Sequence, residues 1–290
     1  MEREAQARLT AHPGTHTPGK IYTSHLSATE CVKNAAGVLL EKAGLVGLVE
    51  PITKAHYDAA FSKAKELEYP EIDKLEHECG YAISRKRLES AARILACPIK
   101  KNPPHWQHGR VVYSIARAYL KGRREPVSLL DCGTAKGFSA LCLQWALNDA
   151  SEEFPLDGLG SVTSVDVLDP KGTPHRNSVL ELDGPKTLAQ FLEPWPEAKR
   201  ITFKKQTGIE AITEAPGTIH LAFIDGKHSR EAVLKEGQAL AKRQRSGDMA
   251  IWDDCQIEGV SSAVALLREF YSVQYVTCCS YRTYAIGTRR

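Results

Sequence analysis

Polar residues dominate the first twenty positions, where His12, Pro13, Gly14, His16, Pro18 and Gly19 leave no apolar periodicity, so 1–20 reads as a flexible tail. From about 27 to 124 the apolar positions recur at helical spacing. Ser27 followed by Glu30 resembles a capping box. Val38, Leu39 and Leu45, then Tyr57, Ala60, Phe61 and Ala64, continue the theme. Tyr69-Pro70, Cys97-Pro98 and Asn102-Pro103-Pro104 interrupt it, because proline lacks an N–H and disfavours helix in the residue before it. The stretch 21–124 is therefore expected to be an accessory or lid region of short helices.

After Pro126 the texture changes. Short runs rich in Val, Ile and Leu alternate with helix-length amphipathic segments, the pattern of a parallel sheet covered by helices. Strands are predicted at 127–131, 161–166, 200–204, 219–225 and 248–253, and helices at 137–148, 185–193, 208–214, 229–243 and 258–270. The closing run SVQYVTCCSYRTYAIGT reads as an antiparallel hairpin turning near Ser280 to Arg282. Five parallel β-α units closed by a hairpin differ from the six parallel strands of a dinucleotide-binding fold.

Composition narrows the class. The 290 residues are 42% hydrophobic, enough for a sizeable core, and neither an eighteen-residue apolar run nor an apolar segment behind the N-terminal charges occurs. A soluble, cytoplasmic protein without a membrane span is expected. The eight cysteines include no C-x-x-C pair, so most are expected to be buried, reduced thiols. Adjacent residues on a strand face opposite ways, which argues against a structural disulfide between Cys278 and Cys279. The net charge of +3 hides a basic belt running from Arg85 to Arg124. It reads either as solvated helix faces or as a surface for an anionic partner.

The chemistry concentrates in Asp131-Cys132-Gly133-Thr134-Ala135-Lys136-Gly137-Phe138-Ser139, between the first strand and its helix. Gly133 and Gly137 let the chain turn tightly and approach a ligand, and the free N–H groups of the helix start favour a carboxylate-bearing group. The spacing is neither that of a nicotinamide loop nor that of a P-loop. D-x-G-x-x-x-G-x-S resembles motif I of class I S-adenosylmethionine-dependent methyltransferases, near the form of catechol, caffeoyl-CoA and macrocin-type O-methyltransferases. The resemblance covers about 127–290. It implies a Rossmann-like α/β sheet of order 3-2-1-4-5-7-6 over 125–290. It also implies that Asp131, Gly133, Thr134, Ala135 and Gly137 hold the methionine part of the cofactor, with Ser139 on its carboxylate. By the same likeness Asp166 accepts the ribose hydroxyls, Thr207 and Gly208 lie by the adenine, and Asp225 borders the cofactor. Asp166 also reads as a cap for the loop that follows it.

A second set of acids closes the fourth and fifth strands: Asp225 in IDGKH, and Asp253 with Asp254 in IWDDC. Three carboxylates at neighbouring strand ends repel unless protonated or bridged by a cation, and oxygen ligands suit Mg²⁺. The metal-dependent relatives place their ion at these positions, so Asp225, Asp253 and Asp254 are the expected ligands; strand-end aspartates also cap helices. His228 is the first candidate for general base, since an imidazole titrates near neutrality, and Lys227 is the second. His228 also reads as a cap for the helix beginning at Ser229 and Arg230. Trp106, in PPHWQHGR, is either a lid residue or an anchor for the accessory helices.

The expected function is methyl transfer to a hydroxyl of a small molecule, aided by a divalent metal. A homodimer is entertained as the assembly. A nucleic-acid methyltransferase using the basic belt is the alternative, opposed by the lack of an Asn/Asp-Pro-Pro-Tyr/Phe motif after strand four. A non-catalytic nucleoside-binding scaffold is the third reading.

Overall fold

The computed structural model describes residues 51–100, 102–154, 158–173 and 177–290. The tail at 1–20 and the helix signals at Ser27, Glu30, Val38, Leu39 and Leu45 lie outside the described residues. Four helices come first: α1 (Lys54–Lys65), α2 (Pro70–Cys79), α3 (Arg85–Leu95) and α4 (His108–Leu120). Pro70 begins α2, where its missing N–H has no intrahelical partner to lose, and Gly80 ends it in a left-handed conformation.

The alternating half follows the predicted order. Strand β1 (Val127–Cys132) leads to α5 (Phe138–Glu153) and β2 (Gly160–Asp166), and a long connection carrying α6 (Leu188–Leu192) leads to β3 (Ile201–Lys205). Then come α7 (Gly208–Glu214), β4 (Leu221–Ile224), α8 (Arg230–Arg243), β5 (Met249–Trp252) and α9 (Glu258–Leu267). The hairpin is β6 (Tyr271–Cys279) and β7 (Arg282–Arg289). The seven strands stand in the order β3-β2-β1-β4-β5-β7-β6. The first five pair in parallel, while β7 runs antiparallel to both β5 and β6.

The strand residues are apolar on both faces because both faces are covered. Leu129, Leu221, Phe223 and Ile251 join one buried cluster. Their neighbours Leu130, Ala222, Ile224, Ala250 and Trp252 join another, with α7, α8 and α9. The first cluster also takes in Ile72, Leu88, Ala91, Val111 and Leu120, so the helices ahead of the sheet share its core. Trp106 is buried at 3% exposure with its ring 5.1 Å from that of Phe61, which makes it an anchor rather than a lid.

Five arginines of the basic belt are paired with acids in this packing. Arg87 holds Asp149 through Nη1 at 2.9 Å to each carboxylate oxygen, and Arg93 holds Asp58. Arg85 and Arg110 both pair with Asp73 and Glu76, and Arg117 pairs with Glu153. Among the described residues no helix is long and apolar enough to cross a membrane.

Candidate active site

The glycine loop sits where β1 delivers it, at the C-terminal edge of the sheet between β2 and β4. Gly133 adopts φ 106°, and a Cβ there would collide with the carbonyl oxygen of Asp225. The loop and the end of β4 are thus in backbone contact, which only a glycine permits. On its other side the Ala135 N–H donates to Asp166 Oδ2 at 2.8 Å. The opposite oxygen of Asp166 accepts from the Leu168 N–H at 3.0 Å. Both the loop contact and the local cap therefore exist, and Asp131, Asp166 and Asp225 converge on one loop. Gly137, at φ 83°, starts α5 with Leu192 of α6 packed over its Cα.

Asp131 is fully buried. Ser164 donates to its Oδ2 at 2.5 Å, and the Ser164 and Thr134 hydroxyls are 2.6 Å apart. Burial pushes this carboxyl up to about 6, against the hydroxyls of Ser139 and Ser164, which lower it. Its Oδ1 has no partner in hydrogen-bonding geometry among the described residues, a cost tolerated where a ligand group completes the set. Ser139 is itself buried beside Asp131, at the start of α5. Thr207 and Gly208 form the N-terminus of α7, with Thr207 in a reciprocal cap with Glu210.

The cleft between Thr134, Asp166, Leu168, Pro170, Leu188 and Phe203 is about 10 Å³ in volume, room for one water. Beside it Val167 and Leu168 stand 62% and 36% exposed. Sequence reasoning passed over this apolar pair. The available signal was their position directly after the β2 acid.

At the β4 and β5 ends the acids do not form the expected trio. His228 Nε2 lies 3.3 Å from Asp225 Oδ1 and 3.4 Å from Asp254 Oδ2. Asp253 is turned away. Its side chain is 1% exposed, with Oδ1 accepting the Asp254 N–H at 2.6 Å and Oδ2 paired to Arg282 at 2.9 Å. Arg282 also reaches Asp254 Oδ1 at 2.6 Å, where Gln256 donates as well. The cation between the paired aspartates is thus a guanidinium from the start of β7, a residue missed in the sequence. The donor atoms that converge within 4.8 Å belong to Asp225, His228 and Asp254.

Charge crowding shows in the protonation equilibria. Burial and the charge of Asp253 push Asp225 up to about 7, against the hydrogen bond from His228. Burial alone would lower His228, but Asp225 and Asp254 outweigh it and raise the imidazole above its ordinary value. Asp254 holds a left-handed backbone at φ 55°, an uncommon conformation for a non-glycine residue. Lys227 is exposed and outside this cluster, and its charge acts on Glu236 instead.

The seven-stranded sheet thus sets a glycine loop against two strand-end acids at one edge. Residues 130–255, less than half of the chain, match a family model described as a methyltransferase domain. No curated protein sequence matches the chain. Among solved structures it is similar to the O-methyltransferase TomG from Streptomyces achromogenes, involved in tomaymycin synthesis, at 13% identity and TM-score 0.49, covering 72% of this chain and 91% of that one. An O-methyltransferase from Bacillus cereus with SAH bound is similar at 13% identity and TM-score 0.47, over 80% of this chain and 96% of the other. An rRNA methylase from Streptococcus thermophilus is similar at 10% identity and TM-score 0.42, over 61% and 95%. These likenesses do not assign an acceptor.

Proposed function

We propose that this protein transfers the methyl group of S-adenosylmethionine to a hydroxyl oxygen of a small molecule, with His228 as the general base. The observation that carries the reading is the contact of the loop at Gly133 with Asp225, which sets the cofactor loop beside the His228 cluster.

The residues present fit the cofactor. Gly133 lets the loop turn against Asp225, and the Oδ1 of Asp131, without a hydrogen-bond partner among the described residues, suits a cationic amino group. Asp166 offers two acceptor oxygens, for which the ribose hydroxyls would compete with the Ala135 and Leu168 N–H groups. Val167 and Leu168 supply apolar surface for the base. Bound S-adenosylmethionine supplies an electrophilic methyl on a sulfonium. The protein's part is then to orient the acceptor and take its proton. His228 Nε2 takes the proton, and Asp225 and Asp254 stabilise the imidazolium that results.

Magnesium does not fit in the expected arrangement. Both oxygens of Asp253 and one of Asp254 are already bound by protein donors, and the remaining converging set includes a nitrogen. A small hard ion prefers a near-octahedral shell of oxygen. Arg282 supplies fixed positive charge instead, and no step here requires an ion. The belt arginines named above are paired with acids within the fold, which weighs against their use on the phosphates of a nucleic-acid acceptor.

The test is calorimetry with S-adenosylhomocysteine, followed by methyl transfer to a panel of hydroxylated acceptors by the native chain and His228→Gln. Retained cofactor affinity with turnover reduced about 10²–10⁴-fold is the expected result. Equal turnover by the variant removes His228 as the base, and absence of cofactor binding removes the reading as a whole.

A further inference from the structure

The C-terminal hairpin carries a second group of chemically active side chains, separate from the acids. Strand β6 pairs regularly with β7 through Thr277 opposite Thr283, then slips so that Cys279 stands opposite Arg282 and Cys278 is passed over. Vicinal side chains on a regular strand diverge to opposite faces, and the expectation for Cys278 and Cys279 followed that rule. The bulge cancels it. Both Sγ atoms and a ring nitrogen of His105 lie within 4.8 Å of one another, and both cysteines are free thiols.

His105 is held for this contact. It lies in the segment between α3 and α4, is buried, and places Nε2 3.0 Å from Cys278 Sγ. Tyr69, Tyr281 and Tyr284 surround its ring at centroid distances of 5.8, 6.2 and 6.4 Å. Its Nδ1 has no hydrogen-bond partner among the described residues, so the bonding capacity of the imidazole is concentrated on the cysteine side.

We propose that His105, Cys278 and Cys279 bind a thiophilic divalent cation of the zinc type, tying the segment ahead of α4 to the C-terminal hairpin. Two thiolate sulfurs and an imidazole nitrogen form a soft donor set, which selects against magnesium and calcium. Zn–S and Zn–N bonds of about 2.3 and 2.0 Å bring three donors within the span seen here. The fourth position falls to water on the partly exposed side of Cys279. Binding releases the thiol protons, and no oxidant or reductant takes part. Because Arg282 is three residues beyond Cys279, the ion also steadies the turn that presents this guanidinium to Asp253 and Asp254.

The test uses the full untagged chain, reduced and freed of metal, titrated with Co²⁺ as a spectroscopic probe and then with Zn²⁺. A near-ultraviolet thiolate-to-cobalt charge-transfer band saturating at one equivalent and displaced by Zn²⁺ is expected. Asp225→Asn should retain the band and Cys279→Ser should lose it. Zinc should also protect Cys278 and Cys279 from alkylation in the native chain, a readout that needs no variant. The proposal is overturned by absence of the band, by its persistence in both Cys278→Ser and Cys279→Ser, or by alkylation of the pair at an undiminished rate in saturating zinc.

Discussion

Single side chains set the chemistry of this site, and three of them yield direct predictions. At Gly133 a methyl group meets the Asp225 carbonyl, and φ 106° is already unfavourable for an L-residue. Gly133→Ala should destabilise the fold by at least about 2 kcal/mol and weaken S-adenosylhomocysteine binding; urea melts and calorimetry check both. An unchanged melt would show that the two backbones are not in contact. His228 is held above its ordinary pKa by Asp225 and Asp254 despite burial. A base works only when unprotonated, so kcat/KM should rise with pH through an inflection above about 6.5, the unperturbed value. That inflection belongs to the His228–Asp225 pair, since Asp225 itself sits up at about 7. A flat profile between pH 6 and 8 would remove the assignment. Arg282→Met leaves Asp253 and Asp254 without their counter-charge, and breaking such a pair costs about 3 kcal/mol at the low end of the buried range. Chemical denaturation of the variant beside the native chain measures the loss, and an equal midpoint would show that the pair contributes nothing.

At the scale of elements, the connection leaving β2 borders the proposed cofactor position. Its first residues, Val167 to Pro170, lie beside a cleft with space for one water, and the nearby α6 rests Leu192 on Gly137. The Leu168 N–H, bonded to Asp166 Oδ1, has to give up that bond if ribose takes the oxygen. Hydrogen exchange at 167–172 should therefore change on addition of S-adenosylhomocysteine, while exchange in β4 and β5 stays the same. A response confined to the sheet would place the cofactor elsewhere.

For the whole molecule, charge distribution separates the candidate acceptors. The paired belt arginines are not free to neutralise phosphates. Binding to a random oligonucleotide should be weak at physiological salt, without the steep salt dependence of a protein making several phosphate contacts. Fluorescence anisotropy across salt concentrations measures this, and a steep slope would restore the nucleic-acid reading. Turnover of the desalted enzyme should likewise be insensitive to added Mg²⁺.

The alternation of apolar and polar positions, with the prolines and glycines between, determined the element order, the parallel sheet and the hairpin, because these depend on local periodicity. The strands at 127–132 and 160–166 and the helix at 208–214 fall within a residue of their expected bounds. Asp131, Gly133, Asp166 and Asp225 were legible for the same reason: each ends a strand or opens a turn, and topology carries such positions to one edge. Side-chain pairing across the sheet was not legible. Arg282 lies 28 residues beyond Asp254, and nothing in the spacing indicates that the hairpin returns to place a guanidinium between the aspartates. Arg85, Arg87, Arg93, Arg110 and Arg117 read as part of one charged run until helix packing paired them with acids as far as 110 residues away. Cys278 and Cys279 face the same imidazole only because a bulge breaks the period of two. Tertiary structure decided these points because ion pairing and register depend on which chains meet in space, a property no local window contains.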